Sequence, residues 1–220
     1  MNPRAALTRI YTAHEERLDL VVHVLGILFA VNASAWLFWH VTGLPVAASV
    51  FVYCAGLLAM IVASAAYNLT PHTHTSKPVL RRIDHCAIFI MIAATYTPFA
   101  ANRLSGPTAE IILGAVWLCA TVGIALKIIA PHRFEAVSIA LYLVMGWMIV
   151  AVARPLAANM ASIDFWLLMG GGIVYSVGVV FYLLDRIPYH KAIWHGFVLV
   201  AAIAHFAAVS LEFALTAPGA

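Results

Sequence analysis

The sequence predicts an all-α integral membrane protein built as a bundle of seven transmembrane helices. Of its 220 residues, 64% are hydrophobic and only 10% are charged, whereas charged residues make up about a quarter of a soluble domain. Its mean hydropathy is +0.97. Seven apolar segments are each long enough to cross the hydrocarbon layer as a helix. Lysine and arginine lie almost entirely on one side of these segments, so a soluble domain is excluded.

The apolar segments define the predicted spans at residues 19–42, 46–68, 84–102, 109–127, 135–153, 163–184 and 192–214. None alternates apolar and polar residues as the strands of a membrane barrel do. Helices are therefore the spanning structure that remains. The spans leave room for one transmembrane domain over residues 18–214, between an N-terminal segment 1–17 and a short tail 215–220.

The distribution of positive charge predicts the orientation of the bundle. With seven spans, two of the twelve Lys and Arg residues, Arg103 and Arg154, lie on one side of the membrane. The other ten lie on the N-terminal side: Arg4, Arg9, Arg17, Lys77, Arg81, Arg82, Lys127, Arg133, Arg186 and Lys191. Because cytoplasmic loops carry the excess of Lys and Arg, we expect a cytoplasmic N-terminus and an external C-terminus.

Membrane lipids are the partners that this charge pattern indicates. The net charge is +3, but the basic residues are spread over short loops and form no run with interleaved aromatic residues. Contact with anionic lipid headgroups therefore explains the charge better than nucleic acid does. No feature of the sequence specifies an oligomeric state.

Polar residues interrupt the ends of three spans that topology places on the cytoplasmic side. The second span ends near Ser64 and Asn68, the third begins near Asp84, and the seventh begins near Lys191 and His195. Residues four apart share one face of a helix, so each of the two pairs can face one cavity. Ionisable groups inside a membrane are expensive and mark functional sites. The sequence thus predicts a polar cavity at the cytoplasmic face, which Glu16 and His23, around the start of the first helix, could join.

Several motifs in fixed order resemble the bacterial hemolysin III proteins, which belong with the progestin and adipoQ receptors. The similarity runs from EERLDLVVH at 15–23 to HF at 205–206. Between these lie SAAYNLTPH at 64–72, LRRIDHCAIFIMIAATYTPF at 80–99, LYLVMGW at 141–147, GGIVYSVGVVFY at 171–182 and RIPYHKAIWHGFVL at 186–199. The resemblance implies a multi-pass protein of the bacterial inner (plasma) membrane.

The resemblance also implies a zinc site and hydrolysis of a lipid amide. In this family and in the similar alkaline ceramidases, three histidines hold zinc, in a Ser-x3-His pattern on the second helix and a His-x3-His pattern on the seventh. A zinc ion with three protein ligands lowers the pKa of its bound water to about 7, which supplies hydroxide. Ser64 and Asp84 match the family's catalytic positions, His195 matches a metal ligand, and His23 matches a histidine that would support the site.

Two residues depart from the family pattern at the metal ligands. Asn68 occupies the position of the second-helix histidine, and Lys191 occupies that of the first seventh-helix histidine. A neutral amide is a poor zinc ligand, and a charged ammonium is none. His190 lies about 140° around the helix from His195. Its side chain therefore points off the cavity face unless the helix unwinds at its start, and it could support the site only from beside the metal ligands.

Lys191 has two interpretations. Its ammonium could form an ion pair with Asp84 in a region of reduced dielectric, where a paired charge is tolerated. Alternatively, its side chain could extend toward the membrane interface, as lysines at helix ends do.

The function favoured by these observations is lipid binding by a hemolysin III-like bundle with weak or absent hydrolase activity. One alternative is a ceramidase-like, zinc-dependent membrane hydrolase with rescued or weak metal ligation. Another is a cytolysin or pore, against which the sequence offers no continuous polar helix face to line a conduction path.

We expect the purified protein to contain no stoichiometric zinc and the Asn68→His/Lys191→His double variant to bind one zinc ion per chain. The two substitutions restore the imidazole ligands that a three-ligand zinc site needs. Metal analysis of both purified proteins is the measurement, and equal zinc contents would contradict the expectation.

Overall fold

A computed structural model describes residues 11–130, 133–184 and 186–215, which form helices and short connections without a strand. Seven helices are long and apolar enough to cross a membrane: α1 (Ala13–His40), α2 (Leu44–Leu69), α3 (Lys77–Arg103), α4 (Gly106–Ile129), α5 (Glu135–Ala158), α6 (Ser162–Leu183) and α7 (His190–Leu215). The predicted all-α class and the seven spans are confirmed. Arg4, Arg9 and residues 216–220 of the predicted tail lie outside the described residues.

Two helices begin at least six residues earlier than the sequence predicts. α1 starts at Ala13 rather than at 19, because Thr12 caps it: the Thr12 hydroxyl accepts the Glu15 N–H at 3.2 Å, and the Thr12 N–H donates to the Glu15 carboxylate at 2.9 Å. α3 starts at Lys77 rather than at 84, with Pro78 in its first turn, where proline is tolerated. Hydropathy marks only the part of a helix that lies in hydrocarbon, so polar first turns were missed.

Glu15 also joins the beginning of α1 to the beginning of α7. Its second carboxylate oxygen accepts the N–H of Tyr189 at 2.8 Å. Tyr189 precedes α7 and has a φ of 61°, a left-handed conformation that is uncommon outside glycine. One carboxylate therefore holds the first turns of two helices from opposite ends of the chain.

α3 lies at the centre of the bundle. It packs against α2, α4 and α5, while α1 packs against α2 and α7, and α6 packs against α7. Buried α3 residues belong to both apolar clusters: Met91 and Phe99 pack with α1, α2 and α7, and Phe89 and Ala93 pack with α4 and α5. The outer faces expose large apolar side chains, as expected for helices surrounded by lipid. The contacts of α5 with α3 and with α6 are both sparse compared with those between α2 and α3.

A tyrosine from α3 satisfies a break within α5. The α-helix of α5 ends at Trp147 and continues as a 3₁₀ turn over Met148–Val152. The Tyr96 hydroxyl donates to the Met145 carbonyl at 2.8 Å and accepts the N–H of Ile149 at 2.7 Å. Because unpaired backbone groups are costly in hydrocarbon, this hydroxyl makes the break tolerable.

The Gly56→Val substitution should destabilise the protein by about 1–3 kcal/mol, as overpacking of a tight interface does. A Cβ atom at Gly56 would lie 2.5 Å from the Cβ of Ala94, whereas a Cβ at Gly114 meets nothing within 4 Å. Thermal unfolding in detergent measures the effect, with Gly114→Val as the control. Equal melting temperatures for the two variants would contradict the close approach of α2 and α3.

Candidate functional site

Ser64, Asn68, Asp84 and His195 meet at the end of the bundle where α1, α3 and α7 begin, which we call the first end. The amide nitrogen of Asn68 lies 3.0 Å from the Ser64 carbonyl oxygen and 3.4 Å from His195 Nε2. The Ser64 hydroxyl forms a side-chain hydrogen bond with Asp84, and it lies 3.3 Å from His23 Nε2. The structure therefore brings together four of the five residues that topology predicts to converge, with His23 beside them.

Asp19 holds both histidines of this cluster. Its carboxylate oxygen lies 2.5 Å from His195 Nδ1, and its backbone oxygen lies 2.7 Å from His23 Nδ1. A carbonyl oxygen can only accept, so His23 Nδ1 carries the hydrogen, and an ionised Asp19 likewise accepts from His195 Nδ1. The neutral rings then present unprotonated Nε2 atoms toward Ser64 and Asn68 on α2, where they can accept hydrogen bonds.

Sequence reasoning missed Asp19 and selected Glu16 instead. The spacing Glu15, Asp19, His23 is a repeat of four residues, which places all three on one face of a helix. All three are buried, whereas Glu16 is exposed. This repeat within a segment otherwise rich in apolar residues is the signal that could have identified Asp19.

The predicted ion pair between Lys191 and Asp84 is wrong. No nitrogen-to-oxygen contact of 4.0 Å or less joins these two described residues. The Lys191 ammonium instead lies 4.1 Å from the centre of the Tyr11 ring, just outside α1. Asp84 is hydrogen-bonded to Ser64, one turn deeper in the bundle, so Lys191 extends toward the helix end as the alternative interpretation had it.

His190 also turns away from the cluster. Its Nε2 lies 3.0 Å from the Tyr11 hydroxyl, and the two rings stack with centroids 5.8 Å apart. The position about 140° around α7 from His195 predicts this direction.

A polar surface pocket lies beside the cluster at the first end. It is lined by Tyr11, Glu15, Glu16, Asp19, Leu20, Asn68, Leu69, Thr70, Pro71, His72, Tyr189, Lys191 and Ala192. Desolvation, followed by the positive charges of Lys77 and Lys191, lowers the pKa of the loop residue His72. Asp19 and Asn68 separate the pocket from the interior of the bundle.

An elongated internal cavity begins on the other side of the cluster. Its lining includes Asp84 and Ala100 of α3, which are 16 residues apart and hence about 24 Å apart along the axis. Polar groups lie near the first end, and most other lining residues are apolar, among them Met91, Phe99, Ile112, Leu156, Leu168 and Leu199. This cavity is apolar along most of its length, because the residues on these helix faces are apolar, and the polar cavity expected at the cytoplasmic face stays a prediction.

Glu135 forms a second polar group on the cavity wall that the sequence did not reveal. Its carboxylate lies 3.1 Å from the Lys127 ammonium and 3.2 Å from the Arg81 guanidinium, and it accepts a hydrogen bond from the Tyr182 hydroxyl at 3.2 Å. Four helices supply these residues, so the group ties α3, α4, α5 and α6 together at the first end.

Asp19, His23 and His195 are a possible metal-binding group, since they offer ligand atoms within 4.8 Å of one another. Tetrahedral zinc with ligands at 2.0–2.1 Å needs its ligand atoms about 3.3 Å apart. Asp19 Oδ1 and His195 Nδ1 lie 2.5 Å apart and are hydrogen-bonded. The Asn68 amide occupies the side from which a histidine of the second helix would reach a metal ion. As arranged, these residues do not fit the three-histidine zinc centre that the family resemblance implies.

The fold and the site define a seven-helix membrane protein with a buried aspartate–histidine group at one end of the bundle. The chain belongs to the hemolysin III family, because residues 11–206 match the family described as Haemolysin-III related. It is 37% identical over 200 residues to the hemolysin-3 homolog of Bacillus subtilis (strain 168). The aligned region covers 90% of this chain and 93% of that protein.

Two further relatives extend the comparison. Hemolysin-3 of Bacillus cereus is 35% identical over 188 residues, or 84% of this chain and 85% of that protein. The human monocyte to macrophage differentiation factor is 30% identical over 219 residues, or 95% of this chain and 90% of that protein. No solved structure gives a significant match to the chain. The family resemblance seen in the sequence motifs is thus confirmed.

The Asp19→Leu substitution should lower the free energy of unfolding by about 1–3 kcal/mol, because it leaves the buried N–H of His195 without its acceptor. Glu16→Leu, on the exposed face of the same helix, should change stability by no more than about 0.5 kcal/mol. Thermal unfolding in detergent measures both. Equal loss of stability in the two variants would show that Asp19 does not hold His195.

Proposed function

We propose that this protein binds a membrane lipid, with an acyl chain in the internal cavity and the polar atoms of the lipid at the cluster. The observation that carries the proposal is the division of the cavity, which is apolar along most of its length and polar where His23, Ser64, Asp84 and His195 line it. Ligand sites of this kind use a mostly apolar wall for affinity and a few placed polar groups for orientation.

Each polar residue has a role that follows from its hydrogen-bonding capacity. The Ser64 hydroxyl has one hydrogen, which it can donate either to Asp84 or to a carbonyl oxygen of the lipid, and an ionised Asp84 can accept from a hydroxyl or amide N–H of the lipid. His195 contributes its Nε2 atom as an acceptor, and Asp19 orients the His195 ring through the hydrogen bond to Nδ1. Ser64 and Asp84 thereby become binding residues, at positions where the family resemblance implies catalytic ones.

Hydrolysis of the bound lipid is expected to be weak or absent. The resemblance implies a zinc-generated hydroxide, but two of the expected ligands are replaced by Asn68 and Lys191. In place of a metal, the amide of Asn68 faces His195 Nε2 at 3.4 Å. The amide occupies the side of His195 from which a second-helix histidine would reach the ion.

The cluster should face the cytoplasm and receive lipid from the inner leaflet of the bacterial plasma membrane. With seven spans, ten of the twelve Lys and Arg residues lie on the side of the N-terminus. Cytoplasmic loops carry this excess. The bacterial relatives named hemolysin-3 support a bacterial membrane as the location.

The wall between α5 and α6 is the route by which we expect the acyl chain to enter. These helices pack sparsely against each other compared with α2 and α3. Among the described residues, two hydrogen bonds link them: the Trp147 indole donates to the Ser176 hydroxyl at 3.0 Å, and the Tyr182 hydroxyl donates to Glu135 at 3.2 Å. Gly146 and Gly172 line the cavity, and a Cβ atom added at either meets nothing within 4 Å. Side-chain volume can therefore be added there without displacing the backbone.

The Gly172→Leu substitution should reduce the affinity for a fluorescent acyl-chain probe at least about tenfold, equivalent to about 1.4 kcal/mol, because its side chain occupies the cavity. Gly170→Leu is the matched control: it is on the same helix and has the same open space at its Cβ, but it does not line the cavity. Probe titration of the detergent-purified proteins, with mass spectrometry of co-purified lipid, measures the difference.

Equal probe affinity in the Leu variants at 172 and 170 would show that the cavity holds no acyl chain. Incubation of the unmodified protein with ceramide-like amides, with and without zinc, provides a second check. Zinc-stimulated release of fatty acid would identify a hydrolase and contradict the expectation that hydrolysis is weak or absent.

A further inference from the structure

A second group of charged residues lies at the opposite end of the bundle from the cluster. Asp164 stands in the first turn of α6, Arg103 is the last residue of α3, and Glu212 lies in the π-helical turn Leu211–Leu215 that completes α7. Asp164 is 0% exposed and Glu212 is 5% exposed. Neither carboxyl was singled out by the sequence, and neither lines the lipid cavity.

Arg103 is committed mainly to Glu212. Its Nε forms an ion pair with a Glu212 carboxylate oxygen, and its second amino group donates to the Glu212 backbone oxygen at 3.2 Å. The guanidinium also lies 5.0 Å from the centre of the Phe213 ring. One positive charge thus balances one carboxylate, and it does so through the side chain and the backbone of the same residue.

Asp164 remains without a donor. Among the described residues, no hydrogen-bond donor reaches either of its two carboxylate oxygens, both of which are inaccessible to solvent. The side chain within hydrogen-bonding reach is the carboxyl group of Glu212. Two ionised carboxylates are both acceptors and cannot bond to each other, and an unpaired buried charge is strongly destabilising.

Within the part of the chain that the structure describes, the surrounding helices offer Asp164 no other compensating charge. The charged groups that act on it are those of Glu212 from α7 and Arg103 from α3. Arg154 of α5 and Glu110 of α4 are exposed to solvent. His205 of α7 lies deeper in the bundle, where its Nε2 is 3.2 Å from the carbonyl oxygen of Leu168. Two carboxyls and one guanidinium therefore leave one negative charge unbalanced.

We propose that Asp164 and Glu212 form a proton-binding site in which one proton, taken from water, is shared between the two carboxyl groups. The protonated carboxyl supplies the missing donor, and the one remaining negative charge is balanced by Arg103. The ligand of this site is the proton, and it is independent of lipid binding at the first end.

The shared proton has a mechanical consequence for the bundle. It joins the start of α6 to the end of α7, and Arg103 adds the end of α3. Leu168 lies one turn below Asp164 and Phe99 one turn below Arg103, and both line the far end of the cavity. Loss of the proton places two like charges in contact, so this end of the bundle loosens when the site is deprotonated.

Infrared spectroscopy of the unmodified protein tests the proposal directly. At neutral pH we expect a C=O stretching band of a protonated carboxylic acid that shifts when aspartate or glutamate is labelled with ¹³C at the carboxyl carbon. The band should disappear at alkaline pH and should be absent from Asp164→Asn and from Glu212→Gln. It should persist in Glu110→Gln, which alters an exposed carboxyl at the same end. Isotope labelling needs no variant, so a variant that fails to fold does not prevent the test.

Thermal unfolding provides an independent measurement. The folded protein binds one proton that the unfolded chain has released, so its stability must fall as pH rises. We expect the melting temperature of the unmodified protein to drop by several degrees between mildly acidic and alkaline pH, and that of Asp164→Asn to change less, since its amide can donate to Glu212 at every pH.

Three results would overturn the proposal. The first is an infrared spectrum that is the same in the unmodified protein, Asp164→Asn and Glu212→Gln. The second is an identical pH dependence of melting in the unmodified protein and Asp164→Asn. The third is a melting temperature that sodium or calcium ions raise in the unmodified protein but not in Asp164→Asn, without a carboxylic acid band, which would make the site a metal cation site.

Discussion

The arrangement of the first end depends on the hydrogen bonds that Asp19 accepts from His23 and His195. Inside a membrane no water completes the hydrogen bonds of a polar side chain, so each such group must find its partner within the bundle. Asp19 offers its carboxylate to His195 and its backbone oxygen to His23. Both Nδ1 atoms are thereby occupied, and both Nε2 atoms turn toward α2. Asp19, which is bonded to the Nδ1 atoms of both rings, therefore sets the direction in which the two Nε2 acceptors point.

The same requirement explains the other polar contacts of the bundle. Glu135 gathers partners from three other helices, and Tyr96 provides a hydroxyl where the backbone of α5 breaks. Among the described residues, the buried hydroxyls of Tyr53 and Tyr175 also lack a hydrogen-bond partner, but Asp164 is the carboxyl group whose two oxygens both lack a donor. A carboxylate without a donor is more informative than a hydroxyl without one, because a buried unpaired charge is strongly destabilising and a small partner taken from solution removes that charge.

Much of the fold and part of the site could be predicted from the sequence. Seven apolar segments specified seven helices, and the alternation of helix direction was enough to bring Ser64, Asn68, Asp84 and His195 to one end. Rotation and depth could not be predicted. Two adjacent carboxyls, Glu15 and Glu16, differ by about 100° around the helix, and only the packing of α1 decides which of them is buried.

Side-chain direction and irregular backbone explain the remaining errors. Lys191 lies at a position from which its long side chain can reach either inward or outward, and the Tyr11 ring lies on the outward side. Glu212 reaches Arg103 from a π-helical turn, which has no recognisable signal in the sequence. Asp164 and Arg103 are separated by 61 residues, so their proximity depends on the packing of α3, α6 and α7 and on no local pattern.

The double role of Glu15 bears on the order in which the chain can assemble. Glu15 caps α1 and accepts the N–H of Tyr189, 174 residues later. α1 is synthesised first and can form its capping box at once, but its contact with α7 must wait until the last helix has been made. Closing so long a loop is slow compared with forming local helix pairs. The alignment of Asp19 with His195, one turn deeper, therefore belongs to the last stage of folding, after the central packing around α3 has formed.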